Sequence, residues 1–324
     1  MCTALTFRGN HHYFGRNLDL KYSYEEQVTL TPRNFTIQFR CAPPLMTHHA
    51  ILGMAYVQEG YPLYYDAMNE AGLAMAGLNF PGYAVYHPRR AGADNITPFE
   101  LIPWVLGQCA NIEQARALLR RVSLLEENFS PELPLTPMHW IAADREKAIV
   151  IEPLEEGLRV YDAPVEVLTN TPPFHWQMTN LSWFRSLSSL PPENRLAPEL
   201  KLPLLSRGMG AVGLPGDLSS PSRFVRAAFT RWNPPQNLPL EEELPHFFHL
   251  LGSVAQVRGT VRLPEGGEVR TIYSSCCDLD EGLYCYNTYE NSRVSAVNLH
   301  RENLEGDRLV SYPLRRKADI FLQN

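Results

Sequence analysis

A cysteine at position 2 carries the most chemistry in this 324-residue chain. Methionine aminopeptidases remove the initiator when the second side chain is small, as cysteine's is. The mature chain is therefore expected to begin at Cys2 with a free α-amine. That one residue then holds a nucleophile and a base. The thiol has an unperturbed pKa of about 8.5 and the α-amine one of about 7.7–8.0. The amine can take the thiol proton near neutral pH and leave a thiolate to attack a carbonyl.

The elements that must position this residue begin with a hairpin. Cys2 to Phe7 alternates around small and apolar residues, Gly9-Asn10 signals a turn, and His12 to Gly15 can return as a second strand. That pairing sets residue 2 opposite about residue 17 and brings Arg16, Asn17 and Asp19 to the chain start. An arginine beside a thiol favours the thiolate. A carboxylate can hold an α-ammonium by a charge-assisted hydrogen bond. Asn79 and Asn170 each follow a predicted strand, Leu73 to Leu78 and Val165 to Leu168. Residues there form turns, or offer amides to a developing oxyanion. Arg223 lies in the first turn of a predicted helix, against the dipole. It calls for a partner, within a site or in a surface salt bridge.

Further strands are expected at His139 to Ala143, Ala148 to Glu152, Gly157 to Tyr161, Thr271 to Ser274, Gly282 to Tyr286 and Ser295 to Leu299. Thr97-Pro98-Phe99-Glu100 is a capping box with proline at the first helical position. Asn111 caps a second helix, Ser220-Pro221 opens a third that runs to about Trp232, and Glu241 to Glu243 begin a fourth. Antiparallel strands with helices in two blocks imply layered sheets covered by helices.

Composition bounds the function. Hydrophobic residues make up 44% and charged residues 20%, the balance of a globular protein rather than a disordered one. The net charge of −6 advertises no nucleic-acid partner. No apolar run is long enough to span a bilayer. The amino terminus lacks the pattern of a secretory signal, so the cytoplasm is the expected compartment and the six cysteines are expected to be thiols. The 27 prolines cluster in surface connections, and with no internal repeat the chain is expected to form one domain over residues 1–324. Cys276-Cys277 with Cys285 lacks the spacing of zinc ligands and reads as buried strand thiols. His246 and His249 lie at i, i+3 on a helix without an HExxH motif or a third ligand. No metal or cofactor is expected.

The start Cys2-Thr3 followed by Phe14-Gly15-Arg16-Asn17-Leu18-Asp19 resembles the choloylglycine hydrolase family of N-terminal nucleophile hydrolases. Matching blocks run the length of the chain: Tyr61 to Asp66, Gly72 to Gly82, Leu168-Thr169-Asn170, Gly213 to Asp217, Ser222 to Arg226, and Tyr289-Glu290-Asn291. The resemblance implies a four-layer αββα sandwich of antiparallel sheets, an α+β fold, and hydrolysis of an unstrained amide. It implies Cys2 as nucleophile, Arg16 beside the thiol and Asp19 orienting the α-amine. It further implies oxyanion donors from the Asn79 backbone N–H and the Asn170 side chain, with Arg223 completing the polar site. The implied substrate is a bile acid conjugated to glycine or taurine, and the implied assembly a homotetramer. Penicillin V acylase is the alternative within the family. The position of Asn79 is usually tyrosine in that branch, so Asn79 favours the bile salt reading. A catalytically silent steroid binder is the alternative of another class, and the intact polar set argues against it. Tyr65, Phe80 and Phe129 are core aromatics by default and candidates to line an apolar pocket. Ser206-Arg207-Gly208 resembles a pattern that accompanies preference for taurine conjugates, with Arg207 meeting the sulfonate.

Overall fold

The computed structural model describes every residue except Gln236. The amino-terminal hairpin forms as Cys2–Arg8 and His12–Leu20, with Arg8 opposite His12, so three residues make the turn. That third turn residue shifts the register by one from the expected pairing, and Cys2 stands opposite Leu18. The second strand runs on past Gly15 because the long strand Glu268–Asp278 pairs along its far side. Gly15 marks the closest approach there. A Cβ at that position would lie 2.0 Å from the Ser275 carbonyl oxygen and 2.9 Å from Phe247.

Around the hairpin, one antiparallel sheet runs in the order Val167–Leu168, Cys2–Arg8, His12–Leu20, Glu268–Asp278, Leu283–Thr288 and Ser295–Asn298. The second runs Gly157–Asp162, Ala148–Leu154, Met138–Ala143, Ala74–Asn79, Tyr61–Asn69, Ile51–Gln58, Gln27–Thr31 and Val310–Pro313. Sequence patterning missed Gln27–Thr31, Ile51–Gln58, Tyr61–Asn69 and Val310–Pro313. Ile51–Ala55 is buried on both faces, and the less buried positions of Tyr61–Asn69 are the apolar Tyr61, Leu63 and Tyr65, so neither strand shows the apolar–polar alternation that signals a half-buried strand.

Among the described residues five α-helices cover the sheets: α1 (Leu101–Gln108), α2 (Ile112–Leu119), α3 (Phe174–Leu181), α4 (Ser220–Trp232) and α5 (Leu240–Gly252). The capping box opens a short 3-10 turn, Pro98–Glu100, in which the Glu100 carboxylate accepts from the Thr97 N–H at 2.9 Å. It leads directly into α1. Asn111 caps α2 by accepting from the Gln114 N–H at 3.0 Å. Helix α3 has neither a side-chain N-cap nor an acidic first turn, and the sequence signals did not mark it.

Side-chain alternation sorts the second sheet into two faces. Leu52, Met54, Met68, Ala74 and Ala76 face a core shared with the first sheet, α4 and α5. Ile51, Ala55, Ala67, Met75 and Trp140 face α1 and α2. The layers are therefore helix, sheet, sheet, helix, the expected αββα sandwich. Fully burying each Leu, Phe or Met in such layers stabilises by roughly 1.5–3 kcal/mol.

Candidate active site

The hairpin register puts Cys2, Ala4, Arg16 and Leu18 on one face and Thr3, Asn17 and Asp19 on the other. Cys2 is 2% exposed and Arg16 and Asp19 are fully buried, so charges at this end must be met by protein groups. The Cys2 backbone N–H donates to Asn170 Oδ1 at 2.8 Å. Asp19 Oδ1 accepts from the Thr271 hydroxyl at 2.7 Å. Asp19 Oδ2 is buried without a hydrogen-bond partner among the described residues. Burial pushes the Asp19 carboxyl up, against the pull of Arg223, Thr271, the terminal ammonium and Arg16. In this chain the ammonium sits on Met1, where it donates to the Asp19 carbonyl at 2.8 Å.

Arg16 reaches between the strands Tyr61–Asn69 and Ala74–Asn79. Its Nη1 donates to the carbonyls of Tyr65 and Gly77 at 3.0 and 2.5 Å, just where the pairing of these strands ends at Asp66 and Ala76. Burial opposes the guanidinium charge, but Cys2, Tyr273, Asp66 and Asp19 outweigh it and raise Arg16. Asp66 is a residue that sequence reasoning missed. Its carboxylate accepts from the hydroxyls of Tyr273 (2.5 Å), Ser275 (2.8 Å) and Tyr284 (2.7 Å), joining the two sheets beside Arg16. Nothing local in the sequence marks it, because its partners lie more than two hundred residues away in the chain.

Asn170 is the junction of the site. Its Oδ1 accepts from Arg223 Nη2 at 2.8 Å as well as from Cys2 N, and its Nδ2 donates to the Asn79 carbonyl at 2.8 Å. Two donors on one side and a carbonyl on the other fix which way the amide faces. Its second Nδ2 hydrogen is left for another acceptor. Phe80 N donates to Pro137 O at 2.8 Å, so alternation turns the Asn79 N–H away from Met138–Ala143. Arg223 is fully buried in the first turn of α4. It donates to Cys2 O (2.5 Å), Thr3 Oγ1 (2.6 Å) and Leu218 O (3.1 Å), besides Asn170. These acceptors are the partners that its place at a helix start called for. Ser220 also belongs here. Ser219 rather than Ser220 caps α4, and Ser220 Oγ instead accepts from the Asn170 backbone N–H at 2.8 Å. Cys2, Arg16, Asp19, Asn79, Asn170 and Arg223 are thus linked by direct bonds or close charge coupling.

The side chains of the other candidates make no hydrogen bond to this network among the described residues. Tyr65 meets Arg16 through its carbonyl. Phe80 is fully buried and stacks on His139 and Tyr83. Phe129 packs with Phe99 and Tyr61, and the Arg40 guanidinium lies 5.2 Å from its ring centre. Arg207 is exposed in the loop before α4, with no ion-pair partner among the described residues. Asn17, expected near the chain start, turns to α5 and donates to Leu251 O at 2.8 Å. Cys276 and Cys285 face each other as buried thiols on neighbouring strands. Among the described residues no three His, Cys, Asp or Glu side chains are placed to hold a metal.

Residues 2–312 match the family of linear amide C–N hydrolases called the choloylglycine hydrolase family. A bile salt hydrolase/transferase from Lactiplantibacillus plantarum is 50% identical over 100% of both chains. One from Clostridium perfringens is 38% identical over 99% of both. A crystal structure of a mutant conjugated bile acid hydrolase from Clostridium perfringens superposes with a TM-score of 0.93 at 37% identity, covering 100% of both chains. Penicillin V acylase from Agrobacterium tumefaciens shares the fold, with a TM-score of 0.76 at 18% identity over 99% of this chain and 100% of that one.

Proposed function

This chain belongs to the choloylglycine hydrolase family, and we propose that it hydrolyses the amide bond of bile acids conjugated to glycine or taurine, with Cys2 as nucleophile. The observation that carries this reading is the Asn170 side chain, which joins Cys2 N, Arg223 and the Asn79 carbonyl at 2.8 Å each. Removal of Met1 turns the Cys2 nitrogen into an α-amine. Asn170 Oδ1 already accepts from that nitrogen, and the unpartnered Asp19 Oδ2 supplies an anion for its ammonium form. The buried Arg16 guanidinium is charge-coupled to the Cys2 thiol.

The thiolate attacks the amide carbonyl carbon. The resulting oxyanion is met by the Asn79 backbone N–H and the free Asn170 Nδ2 hydrogen. The α-ammonium gives its proton to the leaving nitrogen, the C–N bond breaks, and glycine or taurine departs. Water then attacks the thioester, the α-amine takes the water proton, and the free bile acid leaves Cys2.

The same reading extends to a single domain over residues 1–324, residence in the cytoplasm and assembly as a homotetramer. Exposed apolar side chains such as Trp183, Leu190 and Leu205 supply surface that an assembly would cover. Incubation with glycocholate, taurocholate and penicillin V, measuring released amine or acid, tests the substrate class. Release of amino acid from both cholates supports it, and cleavage of penicillin V alone overturns it.

A further inference from the structure

A buried histidine lies behind the oxyanion donors, and the steps above do not use it. His139 stands on Met138–Ala143 opposite Leu78, next to the strand that ends in Asn79, and is fully buried. Its Nε2 lies 2.9 Å from the Thr169 carbonyl oxygen. A carbonyl only accepts, so Nε2 carries a hydrogen and donates it. Its Nδ1 lies 3.1 Å from Glu152 Oε1, on the neighbouring strand and equally buried. A bare Nδ1 lone pair would face a carboxylate oxygen, so one proton lies between the two atoms. Glu152 Oε1 also accepts from the Phe174 N–H at 2.9 Å, at the start of α3. The imidazole stacks on Phe80 with ring centres 4.2 Å apart and planes 9° apart.

These contacts converge on the two asparagines. Thr169 immediately precedes Asn170, and Phe80 immediately follows Asn79. Ser220 also holds the Thr169-Asn170 segment, but it ties that segment to α4. His139 ties the same segment to the sheet that carries Asn79. We infer that His139, held by Glu152, is a positioning residue that fixes Asn170 relative to Asn79, so that both hydrogens meet one oxyanion. This rests on the reading of those residues as oxyanion donors.

The test is His139→Gln, which keeps an amide donor but removes the ring and the shared proton. Iodoacetamide alkylation of Cys2 depends on the thiolate and not on an oxyanion hole. The alkylation rate and KM should therefore stay within about twofold of wild type, while kcat per alkylatable Cys2 falls about 10- to 100-fold, the cost of a misplaced group. A kcat within about twofold of wild type overturns the inference. So does a parallel fall in kcat and alkylation rate, which places the effect on the nucleophile or the fold. If His139→Gln is insoluble, Glu152→Gln decides by the same criteria. Full turnover by Cys2→Ala would instead overturn the reading of the site itself.

Discussion

Asn170→Ala removes three hydrogen bonds of 2.8 Å: one accepted from Cys2 N, one accepted from Arg223 and one donated to Asn79 O. At a net value of about 1 kcal/mol each, the variant should lose about 3 kcal/mol of stability. It also loses an oxyanion donor, which costs about 10²–10³ in kcat, or ~2.7–4 kcal/mol of barrier. Asn170→Asp separates the two effects. An aspartate keeps an acceptor for Cys2 N and Arg223 but has no hydrogen to give. Stability should recover in part, while kcat stays about 10²–10³ below wild type and KM changes little. Urea unfolding followed by tryptophan fluorescence reads stability, and amino acid release from taurocholate reads turnover. An aspartate variant with kcat within about threefold of wild type would refute the donor role. An effect confined to KM would move Asn170 to substrate binding.

Arg223→Gln leaves the buried acceptors around Cys2 O and Asn170 Oδ1 underserved and takes from Asp19 one of its cationic neighbours. Breaking such a buried charged set should cost about 3–5 kcal/mol in urea unfolding, and a change below about 1 kcal/mol would show the network to be weak. Hydrogen bonds from Ser219 and Ser222 hold the Asp217 carboxyl down at about 2. A depressed acid stabilises the fold above its ordinary pKa of about 3.9 and loses that contribution as pH falls through its folded value. The Tm advantage of wild type over Asp217→Asn should be open at neutral pH and close between about pH 4 and about pH 2; a pH-independent gap contradicts the assignment. Arg207 is exposed and can meet a sulfonate from several directions, so wild type should favour taurocholate over glycocholate in kcat/KM. Arg207→Ala should lose part of that ratio, and an unchanged ratio removes Arg207 from the account.

The parts of the site legible in the sequence are those carried by short-range pattern. Cys2, Arg16 and Asp19 lie within one hairpin, and the turn signal at Gly9-Asn10 brings them together despite the one-residue shift in register. Arg223 was legible because a cation in the first turn of a helix conflicts with the dipole, and the buried acceptors around it resolve that conflict. Asn79 and Asn170 were open between turn and amide roles on position alone. Only the folded sheets bring them within one hydrogen bond of each other. Asp66, His139 and Glu152 carried no local signal: Asp66 meets hydroxyls more than two hundred residues away, and His139 and Glu152 meet across consecutive strands but act on Thr169 and Phe174 beyond them. The strands of His139 and Glu152 are buried on both faces, where a polar residue breaks no pattern that periodicity can report.

The central claim is that a thiol and an α-amine on the same residue cleave the amide. Intact mass of the purified protein, before and after an acid quench during turnover of glycocholate, tests it directly. The chain should lack Met1. A cholyl adduct should form on Cys2 in wild type and be absent, together with glycine release, in Cys2→Ala. A fully active preparation that retains Met1, or glycine release by Cys2→Ala at the wild-type rate, would contradict it.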